Sequence, residues 1–356
     1  MKHGGDILTY RHLYDGRIRD FSSNINPIGM PFGLKEKILN GIKELTKYPD
    51  IQYRNLKSEI AKYLGCNAGN IIVGNGAVEI INNISFMFNR VVVVTPCFSE
   101  YIERPEIFGK EIVKLPLDEE FEINIKLIKE TISEGDLLIL GNPNNPTGKR
   151  MKENELIEIH ETIKEKNAFL LLDEAFFEFC PEDYDSIKLF SDSEDICIIR
   201  AATKFFALPG VRLGYAFTSK TMVEKYNRIA LPWSVNTFAE IAAEHIFNDQ
   251  HYITSSRDYI AVQREYLLSE LRGIENIKVY DTHCNFILIK LLDDNEDNIF
   301  EYLAKKGILV RKASSFEGLD NSYIRVAIKD FSDNKYLVNA LREYQQWRKQ
   351  RITQEA

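Results

Sequence analysis

Two motifs place reactive side chains beside stretches that are otherwise apolar. Lys204 and Arg212 lie in "RAATKFFALPGVRLGY" (200–215), where a Pro-Gly step favours a chain reversal over a continued helix. Asp173 follows the apolar run "FLLL", and an unpaired carboxylate buried there would cost several kcal/mol. We therefore expect Asp173 to have a partner, either a ligand or the first turn of the next element. Lys204 could serve as an amine nucleophile.

Two further motifs could supply an amide and an anion site. In "GNPNNPTG" (141–148), two Asn-Pro steps suit neither helix nor strand, so Asn145 can present its amide to a ligand. In "GNGAVE" (74–79), a glycine-rich turn precedes a helical pattern, and backbone N–H groups at a helix start bind anions. Taken singly, each motif also has a purely structural explanation as a turn or a cap.

Together, an amine, a carboxylate, an amide and a phosphate cradle fit one small molecule, pyridoxal 5'-phosphate (PLP). Lys204 would form a Schiff base with its aldehyde, Asp173 would pair with the pyridinium nitrogen, and Asn145 would donate to the ring O3' oxygen. The phosphate would be held by backbone and side-chain donors: Asn75, Gly76, Ala77, Thr203 and Arg212.

These residues must be positioned by an alternation of strands and helices. Continuous apolar runs predict buried parallel strands: "VVVVT" (91–95), "LLILG" (137–141), "FLLLDE" (169–174), "ICIIR" (196–200) and "GYAFT" (214–218). Helical patterns such as "ENELIEIHETIKEK" lie between them. Ligands bind at the carboxyl ends of such strands, where the motifs fall.

The last third of the chain has a different pattern. A helical stretch from about 239 to 271 precedes predicted strands at 286–291, 307–311 and 323–328. We predict an α/β protein with a large domain built on a mainly parallel sheet and a smaller α+β domain. The predicted divisions are an N-terminal arm at 1–33, a large cofactor-binding domain at 34–238 and a small domain at 239–356. The cleft between the domains is the expected ligand site.

Composition narrows the classes of function. The 356 residues are 44% hydrophobic and 28% charged, as in soluble globular proteins. A net charge of -8 argues against a nucleic-acid or anionic-membrane partner. No apolar run approaches the roughly 20 residues of a membrane span, and the N-terminus shows no signal-like core. The cysteines form no Cys-x-x-Cys pair, which indicates reduced thiols in a cytoplasmic protein rather than a disulfide framework or a metal site: Cys66, Cys97, Cys180, Cys197 and Cys284.

From "HGGD" to about residue 340, the sequence resembles fold-type I, aspartate-aminotransferase-like PLP enzymes. The nearest groups are histidinol-phosphate aminotransferases and threonine-phosphate decarboxylases. The resemblance implies that Phe98 stacks on the cofactor ring and that Arg325 binds the substrate carboxylate. It also implies that Tyr48 reaches the cofactor phosphate of a neighbouring subunit, and hence a homodimer with shared sites. Without the resemblance, Phe98 would be assigned to the core.

Several segments resemble the decarboxylases more closely: "HGGD" with "DFSSNINPIGMP", "LPWSVN" (231–236) and "ILVRKASSFEGLDNSYIRVAI". That resemblance places His3, Asn24 and Arg311 around a substrate phosphate, although His3 is equally explained as a surface residue of a mobile arm. Phe176 stands where the aminotransferases usually carry a tyrosine that donates to O3'. Asp6 replaces the usual asparagine of the decarboxylases, and its carboxylate would repel a phosphate.

Three functions follow as expectations. The first is PLP-dependent decarboxylation of L-threonine O-3-phosphate to (R)-1-amino-2-propanol O-2-phosphate for cobalamin biosynthesis, with serine phosphate as an alternative substrate. The second is histidinol-phosphate aminotransferase activity. The third is a non-catalytic PLP-binding domain, which fold alone does not exclude. One methyl group separates the two phosphorylated amino acids, so no single residue of the sequence decides between them.

Overall fold

A seven-stranded sheet forms the centre of the protein, whose computed structural model describes residues 3–355. In chain order the strands are β1 (Arg19–Asp20), β2 (Ile71–Asn75), β3 (Arg90–Thr95), β4 (Glu111–Pro116), β5 (Leu137–Gly141), β6 (Phe169–Asp173), β7 (Ile196–Ala201), β8 (Leu213–Thr218), β9 (Ile277–Val279), β10 (Phe286–Leu291), β11 (Ile308–Leu309), β12 (Arg311–Lys312) and β13 (Tyr323–Ala327). The large sheet has the order β2-β8-β7-β6-β5-β3-β4.

Helices connect these strands and cover the sheet. In chain order they are α1 (Ile7–Tyr10), α2 (Leu34–Gly41), α3 (Arg54–Leu64), α4 (Ala77–Phe86), α5 (Glu100–Ile107), α6 (Ile125–Thr131), α7 (Glu153–Glu165), α8 (Ser186–Leu189), α9 (Lys220–Ile229), α10 (Thr237–Ile246), α11 (Gln250–Arg272), α12 (Glu296–Ala304) and α13 (Phe331–Glu355). Short 3-10 turns occur at Arg11–Leu13, Ile42–Thr46, Ala68–Asn70 and Phe177–Phe179.

Both faces of the large sheet are buried, which explains its uninterrupted apolar strands. In β3, Val91 and Val93 pack into one hydrophobic cluster, whereas Val92 and Val94 pack into the other. The strands β3, β4, β5, β6 and β7 pair in parallel. This confirms the predicted α/β fold with a mainly parallel sheet.

The prediction of a parallel strand at 214–218 was wrong. Strand β8 is antiparallel to both of its neighbours, β7 and β2. The chain reverses between Ala201 and Leu213 without a crossover helix, so β8 returns directly beside β7. An apolar run indicates that a strand is buried on both faces, but it carries no information about the direction of that strand.

Two predictions in the C-terminal third also need correction. The helical stretch at 239–271 is two helices, because Asp249 accepts a hydrogen bond from Tyr252 N and caps a new helix, α11. The strand predicted at 307–311 divides between two sheets: β11 pairs in parallel with β1 of the arm, whereas β12 pairs with β13. The remaining C-terminal sheet is antiparallel, in the order β12-β13-β10-β9.

The predicted boundaries at 33/34 and 238/239 remain predictions. The pairing of β1 with β11 attaches the arm to the C-terminal part of the chain. Within residues 3–355, no helix combines the length and the apolar character that crossing a bilayer requires. The five cysteines are free, and all except Cys66 are buried.

Candidate active site

A cavity of about 420 Å³ opens at the carboxyl ends of β5, β6 and β7. Eleven of the fourteen residues predicted for the site line it: His3, Asn24, Ala77, Phe98, Asn145, Asp173, Thr203, Lys204, Arg212, Arg311 and Arg325. They come from the arm, from the large sheet and from the C-terminal sheet. The structure therefore brings residues from widely separated parts of the chain to one site. Asn75, Gly76 and Tyr48 do not line this cavity.

Lys204 lies three residues beyond the end of β7, in the turn that leads back to β8. Its backbone carbonyl accepts hydrogen bonds from Asn26 N (3.1 Å) and Ala207 N (3.3 Å), which fix the turn. Burial, followed by the charges of Arg325 and Arg212, lowers the pKa of Lys204 from 10.5 to about 8. The side chain is thus a partly buried amine whose neutral form is accessible near physiological pH, as a lysine nucleophile requires.

Asp173, the last residue of β6, is buried, and a tyrosine that sequence analysis missed is its main partner. Tyr101 Oη donates to Asp173 Oδ2 at 2.7 Å, and Ala175 N donates to Asp173 Oδ1 at 2.9 Å. Burial raises the pKa of Asp173, whereas these two donors lower it. Within the described residues Asp173 forms no ion pair, so a cationic group of a ligand would have an unshared carboxylate to bind.

A signal for Tyr101 was present in the sequence. Phe98 and Tyr101 are three residues apart in "CFSEY", at the start of α5, and such a spacing places two side chains on one face of a helix. Their rings are 5.7 Å apart and nearly perpendicular. Phe98 and Tyr101 both line the cavity, so this one turn supplies an aromatic wall and the hydrogen-bond donor to Asp173.

The predicted phosphate cradle lies at the start of α4. Ala77 and Val78 line the cavity, and the first N–H groups of a helix have no partner within it. The two preceding N–H groups are already used: Asn75 N donates to Glu79 Oε2 (2.5 Å) and Gly76 N to the Gly74 carbonyl (2.8 Å). Of the three predicted backbone donors, only Ala77 N is therefore not already used by these contacts, and the cavity lining of this turn begins at Ala77.

Gly76 and Arg212 bring a guanidinium group to this helix start. Gly76 has a φ of +81°, and a Cβ atom added there would lie 2.2 Å from Arg212 Nη2. Arg212 itself has a φ of +60°, an uncommon backbone conformation for a non-glycine residue that often occurs at functional sites. Only a glycine at position 76 lets the arginine side chain approach α4 so closely.

Arg325 and Asn145 both line the cavity and are hydrogen-bonded to each other. Arg325 Nη1 donates to Asn145 Oδ1, and Nη2 donates to the Ser22 carbonyl at 3.0 Å. The amide nitrogen of Asn145 therefore stays available as a donor. The buried Nε atom of Arg325 has no hydrogen-bond partner in the described part of the chain. Burial and the charge of Arg311 lower the pKa of Arg325 to about 9. An anion bound beside this guanidinium would favour its charged form.

The remaining predicted substrate residues lie nearby. Arg311 donates to Ser315 Oγ at 2.7 Å, and its guanidinium lies 5.0 Å from the centre of the Phe316 ring. Asn24 is buried, and its Oδ1 atom has no partner within residues 3–355. His3 is half exposed and lies 3.7 Å from Glu100 Oε1.

The structure also shows the surroundings of three other residues named in the sequence analysis, Phe176, Asp6 and Tyr48. Phe176 is buried, lines the cavity and packs edge-to-face on Phe286 at 5.1 Å. Asp6 caps α1 by accepting a hydrogen bond from Thr9 N at 3.3 Å. The helix cap is a structural reason for a carboxylate at this position. Tyr48 is 82% exposed and packs on Trp233 with ring centroids 4.9 Å apart.

These groups fit PLP. The side chains of the described residues that line the cavity include four cations and one carboxylate, so the site favours an anionic molecule. Within the described residues the buried Asp173 has no ion pair and Arg325 Nε has no hydrogen-bond partner, and Gly76 keeps the start of α4 open to Arg212. A bound PLP molecule would explain each of these features. Seven of the ten residues predicted to bind the cofactor line this cavity, and their roles remain predictions.

The fold and this site define a fold-type I PLP-dependent enzyme. Residues 18–341 match the family described as aminotransferase class I and II, and the chain belongs to that family. PLP is its cofactor.

Individual relatives cover nearly the whole chain. A protein of Caldanaerobacter subterraneus subsp. tengcongensis named "Putative threonine-phosphate decarboxylase" is 42% identical over 96% of both chains. The crystal structure of histidinol-phosphate aminotransferase from Clostridium acetobutylicum has a TM-score of 0.88 and 36% identity, and the match covers 91% of this chain and 98% of that one. The histidinol-phosphate aminotransferase of Sinorhizobium meliloti, solved in complex with pyridoxal-5'-phosphate, has a TM-score of 0.84 and 20% identity over 96% and 94% of the two chains.

Proposed function

We propose that the protein decarboxylates L-threonine O-3-phosphate to (R)-1-amino-2-propanol O-2-phosphate, a step of cobalamin biosynthesis. The observation that carries this proposal is the pair Arg311 and Arg325, which line one cavity together with Lys204. Two guanidinium groups suit a small substrate that bears two anionic groups. A phosphorylated amino acid has both a phosphate and a carboxylate.

Each residue has a defined task in this proposal. PLP, when bound, supplies an electron sink for the cleavage of a bond at the substrate Cα. Asp173 would pair with a protonated ring nitrogen. Burial raises the pKa of this carboxyl, whereas the Tyr101 hydroxyl favours its charged form by donating to Oδ2. Arg325 would bind the substrate carboxylate, while Arg311 with His3 and Asn24 would bind the phosphate.

Lys204 is suited to hold and return a proton. Its pKa of about 8 lies close to physiological pH, where an amine both accepts and releases a proton readily. Phe98, Phe176 and Phe316 line the same cavity and add apolar surface to it. Lys204 is therefore the proposed donor of the proton that replaces carbon dioxide at Cα.

Phe176 favours decarboxylation over transamination. It has no hydroxyl group, so Asn145 is the donor proposed for the ring O3' position, without the tyrosine that the aminotransferases usually provide. The 42% identity to the Caldanaerobacter protein supports the same choice. The 36% identity to a histidinol-phosphate aminotransferase supports the second candidate, transamination of histidinol phosphate.

A direct comparison of reactions tests the proposal. Holoenzyme would be supplied with threonine phosphate alone, with serine phosphate alone, and with histidinol phosphate plus 2-oxoglutarate. We expect carbon dioxide from threonine phosphate without any 2-oxo acid, and a slower reaction of serine phosphate, since one methyl group contributes about 1–3 kcal/mol. Glutamate formation that requires histidinol phosphate would instead establish the aminotransferase, and no reaction in any mixture would favour a non-catalytic protein.

We further propose a homodimer in which Tyr48 reaches the site of the partner. Large apolar side chains are exposed on two neighbouring segments, as is typical of a subunit interface: Ile28, Met30, Phe32, Leu39, Ile42, Leu45, Tyr48, Ile51, Leu231 and Trp233. Phe32 is 96% exposed. Sedimentation of Phe32→Glu beside Leu8→Glu, another exposed apolar site, tests this: only Phe32→Glu should yield monomers. A wild-type monomer would contradict it.

A further inference from the structure

Asp20 is a half-buried carboxylate that accepts three hydrogen bonds from the turn that follows it. Ser22 N and Ser22 Oγ donate to Asp20 Oδ1 at 2.9 and 2.5 Å, and Ser23 Oγ donates to Oδ2 at 2.5 Å. Both oxygen atoms are therefore used within three residues of chain. This arrangement fixes the turn and, with it, the directions of the Ser22 and Ser23 carbonyl groups.

Those two carbonyl groups hold two cations. Ser22 O accepts from Arg325 Nη2, and Ser23 O accepts from Lys329 Nζ, each at 3.0 Å. Arg325 and Lys329 are both largely buried, and burial lowers the pKa of each. The charge of Asp20 raises the pKa of both groups and of Lys204, so it offsets part of their mutual repulsion.

The same turn also attaches the N-terminal arm. Gly5 N donates to Ser22 Oγ at 2.9 Å, while that hydroxyl itself donates to Asp20. A Cβ atom at Gly4 would lie 2.1 Å from Ser22 O, so the arm runs directly against the turn. One serine thus connects the arm, which carries His3, with the carbonyl that binds Arg325.

The backbone around Asp20 is held on two sides. Phe21 N donates to the Leu309 carbonyl and Ala327 N donates to the Phe21 carbonyl, both at 2.8 Å. Asp20 is the last residue of the short strand β1. The residue after it, Phe21, is hydrogen-bonded to Leu309, two residues before Arg311, and to Ala327, two residues after Arg325. Because its backbone is held in this way, the Asp20 carboxylate can fix the positions of the Ser22 and Ser23 carbonyl groups better than a carboxylate on a flexible loop could.

We infer that Asp20 is a positioning residue of the site, because its carboxylate fixes the turn that joins Arg325 to the N-terminal arm. It couples the proposed carboxylate site to the proposed phosphate site, although it does not line the cavity itself. The inference rests on the proposed function only for the identity of the substrate. The contacts that carry it exist without any ligand.

The test uses Asp20→Ala, Asp20→Asn and Ser22→Ala, with Asp15→Ala as a control at an exposed aspartate of the same arm. Two quantities are measured on the holoenzyme: kcat and KM for threonine phosphate, and amide hydrogen exchange of the peptide spanning 3–13 without substrate. Asp20→Ala should raise KM about tenfold or more and change kcat less than about threefold, since ground-state positioning is lost. It should also accelerate exchange in the arm.

The other variants separate positioning from general damage. Asp20→Asn keeps an oxygen for the Ser22 donors, so its KM should rise less than that of Asp20→Ala. Ser22→Ala should accelerate exchange in the arm as much as Asp20→Ala does, with a smaller rise in KM, because the Ser22 carbonyl remains. Should Asp20→Ala fail to fold, unchanged exchange and KM in Asp20→Asn and Ser22→Ala would overturn the inference.

Failure of the proposed function would be visible in the wild-type protein, which would then release no carbon dioxide. The exchange experiment would still decide on Asp20, because it needs no substrate. Exchange and KM equal to those of Asp15→Ala in all three variants would show that Asp20 positions nothing.

Discussion

Arg311 and Arg325 are direct cross-strand partners in the pairing of β12 with β13. Both guanidinium groups lie near the Phe316 ring, 5.0 and 5.6 Å from its centroid. Like charges placed opposite each other on a sheet repel and destabilise the pair unless an anion lies nearby. The fold thus places two arginines that are separated in sequence side by side on one surface, where we propose that they bind the anionic groups of the substrate.

Arg325→Lys tests the planar contact at this surface. Lysine keeps the charge but lacks the planar guanidinium, whose two Nη atoms contact Asn145 Oδ1 and the Ser22 carbonyl. We expect kcat/KM for threonine phosphate to fall about 30-fold or more. Arg272→Lys, at an exposed arginine paired with Asp281, serves as the control and should match wild type. A fully active Arg325→Lys enzyme would contradict the assignment of the carboxylate site.

Tyr101→Phe tests the support of Asp173. Loss of the hydroxyl removes a donor that lowers the pKa of Asp173, so that pKa should rise further and the carboxylate should bind a cationic ring nitrogen less well. We expect the dissociation constant for PLP to increase about tenfold, the effect of one hydrogen bond to a charged group. Equilibrium dialysis measures it. Tyr226→Phe, which removes a buried hydroxyl 3.4 Å from the Val73 carbonyl, should leave PLP affinity unchanged.

The pH dependence of cofactor attachment tests the environment of Lys204. In the cofactor-free protein its pKa is about 8 instead of 10.5, so the neutral, nucleophilic amine predominates above that pH. The rate at which added PLP attaches should increase up to about pH 8 and then become constant, as followed by visible absorbance. The charge of Lys329 contributes to the low pKa, so in Lys329→Met the plateau should begin at higher pH. A wild-type rate that keeps rising to pH 10.5 would refute this.

The same shift affects stability, with a defined sign. Between about pH 8 and 10.5, Lys204 is neutral in the folded protein and still protonated in the unfolded chain. The unfolded state then binds more protons, so this residue makes the cofactor-free protein more stable as pH rises through that window. Below pH 8 the contribution is constant and unfavourable. Lys204→Met should therefore flatten the pH dependence of the free energy of unfolding in that range.

Phe176→Tyr tests why this site differs from the aminotransferase pattern. The added hydroxyl would provide a second donor near Asn145, at the cost of disturbing the contact of Phe176 with Phe286. We expect the pH midpoint of the cofactor's visible absorbance to decrease and transamination of glutamate to become detectable. Phe179→Tyr, at another buried phenylalanine that does not line the cavity, provides the comparison. An unchanged midpoint would contradict the proposal that the missing hydroxyl at position 176 favours decarboxylation.

Much of the fold could be predicted, because parallel strands buried on both faces leave a strong signal. The runs at 91–95 and 137–141 match β3 and β5 closely. Strand direction left no such signal, which is why the antiparallel β8 was missed. The division of 307–311 between two sheets depends on pairing with β1 and β13, and such distant partners cannot be read from local periodicity.

The site was predictable where chemistry restricts the residue type, as for Lys204 and Asp173. Residues that act through others were missed. Tyr101 is an ordinary residue until the fold places its hydroxyl against Asp173, and Asp20 until the turn that it fixes meets Arg325 and Lys329. The use of Asn75 N and Gly76 N by nearby acceptors could not be predicted, because these two hydrogen bonds depend on the local geometry before the helix.

Borohydride reduction of the holoenzyme followed by peptide mapping tests the attachment of the cofactor at Lys204. Reduction makes the bond between PLP and its lysine permanent, so mass spectrometry can locate the modified residue. We expect the added phosphopyridoxyl mass on the peptide that contains Lys204, and none in Lys204→Ala. Modification of a different lysine, or an unmodified Lys204 in protein that keeps its visible absorbance, would contradict the site described above.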